Sequence, residues 1–205
     1  MATQRLPTAE RRKQIAGAAL RIISTQGVRR LTSAAIAKQV GIAEGTIFRH
    51  FKNKDEIVDA AIDLFEEAIE GAFPAEEGSP LERLGSFVEM RLTLVRKQPE
   101  ILRLAFNDRL AEAAGEEGAA RVGRLVERSL ALVRRCLLGA QERGEITRDA
   151  PLALLVWVVT GVIRGAAHSD LHRAPQGVDL SEATPQQVWT SLEQFLRSTS
   201  KENIS

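Results

Sequence analysis

Apolar residues recur every three to four positions through nearly the whole chain, and no run alternates apolar and polar residues long enough to make a half-buried strand. A chain with that period throughout folds as helices, and its helix ends are set by local punctuation. Thr8 is expected to cap a first helix carrying Ile15, Ala19, Ile22 and Ile23, with Gly27 as its end. Thr32 then caps a short second helix, Ser33 to Gln39, which Gly41 breaks; a third runs from about Ala43 to Phe51. Capping boxes at Asn53/Glu56 and Ser79/Glu82, the latter with Pro80 in the first helical position, start a fourth helix to about Gly71 and a fifth. Gln98-Pro99 opens a sixth through about Leu110, and a long seventh ends near "QERGEI". Asp149 caps the very apolar "APLALLVWVVTGVIRGAAH", and Thr184 with Gln187 caps a last helix whose stripe is Val188, Trp189, Leu192, Phe195 and Leu196. The expected fold is all-α, with about nine helices.

Charge divides this chain. The formal net charge is +1, yet residues 1–54 hold eleven Lys/Arg against two acids (+9), and the rest hold seventeen against twenty-five (−8). A basic head on an acidic trunk is the pattern of polyanion binding. Cys136 is the only cysteine, so no internal disulfide forms and a four-thiolate metal site is excluded. The N-terminus lacks an apolar signal-peptide core, and the longest apolar run, Ala150 to Ile163, stops after fourteen residues, too short to span a bilayer. A cytoplasmic protein without membrane contact is expected.

The stretch "VGIAEGTIFRHFKNKDEI" carries the chemistry. Two short helices joined by a tight Gly turn fit helix-turn-helix geometry, in which the second lies in the DNA major groove. Its outward positions would be Glu44, Thr46, Arg49 and His50, with Ile47 and Phe51 turned inward. Lys52 and Lys54 follow at its end, where the phosphate backbone runs, and Asn53 starts the next helix beside the same phosphates. Arg5 lies ahead of the first helix, as a solvated arm or a minor-groove contact.

Ile15 to Ile62, "IAGAALRIISTQGVRRLTSAAIAKQVGIAEGTIFRHFKNKDEIVDAAI", resembles the tetracycline-repressor (TetR) family of bacterial transcriptional regulators. The resemblance implies residues 1–54 as the DNA-binding domain, a connecting helix at 54–71, and residues 72–205 as a ligand-binding and dimerisation domain. It implies phosphate contacts from Thr32 and Ser33, DNA-facing positions at Glu44, Gly45, Thr46, Phe48, Arg49 and His50, and a backbone-clamping Lys54. Family members commonly carry tyrosine where Phe48 stands, so that position offers only apolar contact, for example to a thymine methyl. Arg49 fits guanine or a phosphate equally.

Within the trunk, Leu152, Leu155, Val156, Val159, Val162 and Ile163 surround one helix nearly all the way round, and Gly161 and Gly165 would admit a close partner helix. With Trp189, Leu192, Phe195 and Leu196 they suggest a homodimer interface of four helices. On the fifth helix Leu84, Val88 and Val95 form one apolar row and Phe87, Met90 and Leu94 another. The second row, with Phe106, Leu125, Val133 and Trp157 as further walls and Arg91 and Arg164 as cations, would border an effector cavity.

With these features the resemblance implies a ligand-responsive regulator of operator DNA, expected as a repressor released when a small molecule binds, with activation left open by the residues and with no cofactor. The alternative is a DNA-binding adaptor or architectural protein whose trunk holds a protein. An enzyme is not expected: His168 and His172, with Asp170 between, have chelating spacing but no third ligand. Neither a phosphate-binding glycine loop nor a nucleophile elbow is present, and tyrosine is absent.

Overall fold

The computed structural model describes residues 7–168 and 183–198. Among these residues every regular element is helical: α1 (Thr8–Gln26), a 3-10 turn (Val28–Arg30), α2 (Ser33–Val40), α3 (Glu44–Ile47), α4 (Lys54–Glu70), α5 (Pro80–Lys97), α6 (Pro99–Ala105), α7 (Arg109–Ala113), α8 (Glu116–Glu142), α9 (Leu152–His168) and α10 (Pro185–Ser198). The all-α expectation holds, with ten α-helices where about nine were expected. The extra one arises because α6 stops at Ala105, and Asn107 Oδ1 then accepts from Arg109 N at 3.0 Å to start α7. Arg5, Asp170, His172 and the loop from Ser169 lie outside the described residues, as does the His168 side chain.

Local capping accounts for most boundaries. Glu82 N donates to Ser79 Oγ at 3.2 Å and Ser79 N to Glu82 Oε2 at 2.7 Å, a reciprocal box with Pro80 in the first turn. Thr184 and Gln187 make the same exchange at 3.1 and 2.8 Å. Two expected caps are corrected. Thr8 is already helical behind Pro7, with no side-chain cap, and Asp149 lies short of α9, whose first turn is organised by the Pro151 carbonyl accepting from Leu154 and Leu155.

The chain divides into two compact units, Met1–Glu70 with Leu104–Leu125, and Gly71–Arg103 with Val126–Ser205. In the first, α1 packs on α4 and α2, α2 on α3, and α7 on α1. Ile15, Ala19, Ile22 and Ile23 of α1 meet a core that includes Ile36, Ile47, Phe51, Ile62 and Phe65, all essentially without exposure. Residues 104–125 join this unit through polar ties as well as packing. Arg109 Nη1 donates to the Ser24 carbonyl at 2.6 Å, and Arg121 holds α4 by donating to Glu66 (Nε to Oε1, 3.0 Å) and Asp63 (2.6 Å). Those two carboxylates, Glu66 first, push the Arg121 guanidinium pKa still higher, so the clamp is a permanent charge.

In the second unit α5 packs on α9 and α10. Both rows of α5 are used: Leu84, Val88 and Val95 are buried, and so are Phe87 and Leu94. Arg91 is buried with them; its guanidinium stacks over Phe73 (4.9 Å) and Phe87 (4.8 Å), and Nη2 donates to Ser129 Oγ at 3.1 Å. Buried cations need such partners, since bare desolvation is costly. Arg148 closes the C-terminus of α8 by donating to the Gln141 and Glu142 carbonyls at 2.8 and 2.6 Å, and Arg103 does so for α9 at Ala167 (3.0 Å). Cys136 is buried, and that burial pushes its thiol pKa up, which makes it a packing group rather than a reactive one.

Candidate nucleic-acid interface

The tight turn after α2 is built from backbone geometry. Gly41 sits at φ 74°, ψ 39°, the left-handed region, and the Ala37 carbonyl accepts from both Gly41 N (2.9 Å) and Ile42 N (3.0 Å). Ahead of it Thr32 caps α2 through Oγ1, which accepts from Ala35 N at 3.1 Å. The chain thus re-enters helix at Glu44 in a fixed register, which decides the outward side chains.

α3 is shorter than the expected Ala43-to-Phe51 helix. Regular helix ends at Ile47, and the next residues continue as tight turns, with Arg49 N donating to Thr46 O and both His50 N and Phe51 N to Ile47 O. This winding lets Ile47 and Phe51 both enter the core. Glu44, Gly45, Phe48 and Arg49 are exposed and share one outward surface, whereas Thr46 and His50 are half-buried. Phe48 is 58% exposed, a large aromatic that presents most of its surface to solvent. Lys52, Asn53 and Lys54 are exposed beside it at the start of α4. Asn53 Oδ1 accepts from Glu56 N (2.9 Å), as the expected capping box requires, while Glu56 Oε2 accepts from Lys52 N (3.0 Å) rather than from Asn53 N, so both of these amides are occupied within the chain.

Two contacts were not visible in the residue pattern. Ser33 Oγ donates to Glu44 Oε1, tying the start of α2 to the start of α3. Arg12 of α1 lies over the Phe51 ring at 4.0 Å and donates through Nη1 to the His50 carbonyl, so it braces the end of the reading segment. Its signal was an arginine three residues before Ile15, on the helix side that carries the apolar row. Arg12→Ala is expected to lower the melting free energy by about 1–2 kcal/mol and to weaken DNA binding while leaving its salt slope unchanged, because Arg12 braces protein rather than phosphate. Chemical denaturation and salt-series anisotropy check this.

The trunk candidates fall in different places. Phe87, Arg91, Leu94 and Val133 are buried and Met90 half-buried in the second unit, whereas Leu125 (buried) and Phe106 (half-buried) belong to the first. Trp157 is 79% exposed, which corrects its reading as a wall of an enclosed cavity, and Arg164, read as a cation beside that cavity, is exposed on the same outward side of α9. The proposed interface set divides as well. Leu155, Val159 and Leu196 are buried in their own chain, as are Trp189 and Leu192, and they are corrected to intramolecular core. Leu152 and Val162 are half-buried; Gly161, Gly165 and Phe195 are exposed. Leu154, at 56% exposure, is the residue that sequence reasoning missed.

Among the described residues no group of three or more His, Cys, Asp or Glu gathers to hold a metal, and no helix is long and apolar enough to cross a membrane. Residues 15–67 match the family described as bacterial regulatory proteins, tetR family. The nucleoid occlusion factor SlmA of Marinomonas sp. (strain MWYL1) is 28% identical over 194 residues, spanning 91% of this chain and 95% of that protein. The ketosteroid transcriptional regulator KstR2 of Mycobacterium tuberculosis superposes with a TM-score of 0.70 at 19% identity, covering 94% of this chain and 96% of that one. AibR, solved with isovaleryl coenzyme A and operator DNA, superposes with a TM-score of 0.65 at 19% identity, covering 91% and 97%. Helix-turn-helix geometry, the exposed lysines beside the reading segment and the matched residues converge: residues 15–67 form a DNA-binding domain of the tetR family.

Proposed function

We propose that the protein is a homodimeric repressor that leaves its operator when a small molecule binds the trunk. The observation that carries the dimer is the outward side of α9. Leu154 and Trp157 are exposed, Gly161 and Gly165 follow at helical spacing with open space around each, and Phe195 of α10 is half-exposed at 50%. A tryptophan left in water beside small residues marks a protein contact rather than a solvated face. Two heads joined there would read half-sites about 34–36 Å apart or a multiple of that, and any ligand favouring a different spacing would release DNA.

Thr32, Ser33, Glu44, Gly45, Thr46, Phe48, Arg49, His50, Lys52 and Lys54 are proposed as the DNA-facing set. Of the pocket candidates, Phe87, Met90, Leu94 and Val133 are the proposed apolar walls and Arg91 the cation for an anionic effector, acting in the cytoplasm with the DNA. AibR supports this reading through the acyl-coenzyme A and operator named for that protein. Lys54→Ala should weaken selected and scrambled duplexes alike and lower the salt slope by about 1. Arg49→Ala should weaken the selected duplex by a further tenfold or so if it reads guanine. Salt-series anisotropy measures both.

A second reading, a DNA-binding adaptor acting across the chromosome, is favoured by the near full-length match to a nucleoid occlusion factor. Genome-wide mapping of bound DNA separates them. A few sites beside genes, with complexes dissociated by a small molecule such as isovaleryl coenzyme A or another from a metabolite panel, fit the repressor; many dispersed sites indifferent to small molecules fit the adaptor.

A further inference from the structure

Glu44 is one of only two acids in the first 54 residues, and it heads the reading segment, exposed on the outward surface. A carboxylate facing a polyanion costs affinity for every sequence. Its position therefore needs a compensating contact, and the major groove offers few: carboxylates accept there only from amino groups, cytosine N4 or adenine N6. Adenine sets its N6 beside the acceptor N7 of the same base, which repels a carboxylate, whereas cytosine carries no major-groove acceptor of its own, and a carboxylate accepting from cytosine N4 is the recurrent pairing. Ser33, first residue of α2, donates its hydroxyl to Glu44 Oε1, which fixes the side chain before DNA arrives and leaves Oε2 to accept.

Resting on the proposed reading of α3 as the DNA-facing segment of a dimer, we infer that Glu44 reads the amino group of one cytosine in each half-site and rejects other DNA by its charge, and that Ser33 is its positioning residue rather than a phosphate contact. This makes Glu44 unlike its neighbours. Removing a basic residue weakens all binding, but removing this carboxylate strengthens binding to the wrong DNA.

The full-length protein and its E44Q and S33A variants would each be used to select duplexes from a randomised pool. Anisotropy on the recovered and a scrambled duplex, across a salt series, then follows, with far-UV circular dichroism as the check of fold. Wild type should recover a C·G pair that E44Q replaces with A·T, as glutamine suits adenine. E44Q should bind the scrambled duplex several-fold tighter and lose about tenfold or more of the selected-to-scrambled ratio. S33A should lose several-fold in preference for the same C·G pair, with an unchanged salt slope. The inference is overturned by a wild-type selection that enriches a defined site without a cytosine, by E44Q keeping the wild-type base or gaining nothing on scrambled DNA, or by S33A weakening both duplexes equally; a wild-type selection that enriches no site overturns the reading of α3 itself.

Discussion

Trp157→Glu is expected to yield a folded monomer whose affinity for a two-half-site duplex falls by about two orders of magnitude or more. The side chain is 79% exposed within one chain, so the substitution removes little from the core of the second unit. Across the proposed interface the cost is large. Central tryptophans account for about 2–4 kcal/mol at a protein contact, and a glutamate facing its two-fold copy adds desolvation and like-charge repulsion. Once the heads part, each half-site is bound alone, and linking two binding events commonly contributes about 10²–10⁴ in affinity. Light scattering after size exclusion reads the mass, circular dichroism the retained helix, and anisotropy the affinity. Gly161→Leu should act in the same direction, since a Cβ at that position meets nothing within 4 Å in its own chain. A Trp157→Glu protein that remains a dimer and binds as wild type would remove α9 from the interface.

Gly85→Leu should do the opposite, damaging the fold of the chain itself. A Cβ at Gly85 would stand 2.6 Å from Cε2 and Nε1 of Trp189, the buried tryptophan through which α10 rests on α5. In an open helix, replacing glycine gains up to about 1 kcal/mol of helix propensity. Here an indole held in the core must move, and overpacking costs about 1–3 kcal/mol for a few methylenes, more where a helix is displaced. Gly85→Ala should therefore lose about 1 kcal/mol net and Gly85→Leu about 3 kcal/mol or more. Thermal and urea denaturation measure both, with near-ultraviolet circular dichroism reporting the Trp189 environment. A Gly85→Leu protein as stable as wild type would contradict the close α5–α10 packing.

Features set by near neighbours in the chain were legible. The boxes at Ser79/Glu82 and Thr184/Gln187, the Thr32 cap and the helix break at Gly41 each depend on residues within a turn, and the chain adopts them as expected. The basic head was legible because charge is composition. Where several local signals competed, boundaries moved. Asp149 and Pro151 both suit a helix start, and the structure uses Pro151; no Gly or Pro marks the break between α6 and α7.

The faces of α9 were ambiguous for a different reason. Leu155, Val159 and Ile163 run along one side, and Leu154, Trp157 and Gly161 along another, so period alone cannot say which row turns inward. Trp157 consequently read as a cavity wall, and Leu154 was missed. Arg12 and the Ser33–Glu44 bond escaped because each joins segments distant in sequence: Arg12 reaches His50, and Ser33 reaches Glu44.

The central claim is that the exposed face of α3 reads sequence. Its most direct test is anisotropy of the full-length protein on a duplex selected from a random pool, against a scrambled duplex of equal length, from low to physiological salt. The account predicts saturable binding about a thousandfold tighter to the selected duplex at physiological salt, with a steep salt slope on both. Equal affinity for the two duplexes at every salt concentration would contradict it, leaving a basic head that coats DNA without reading it.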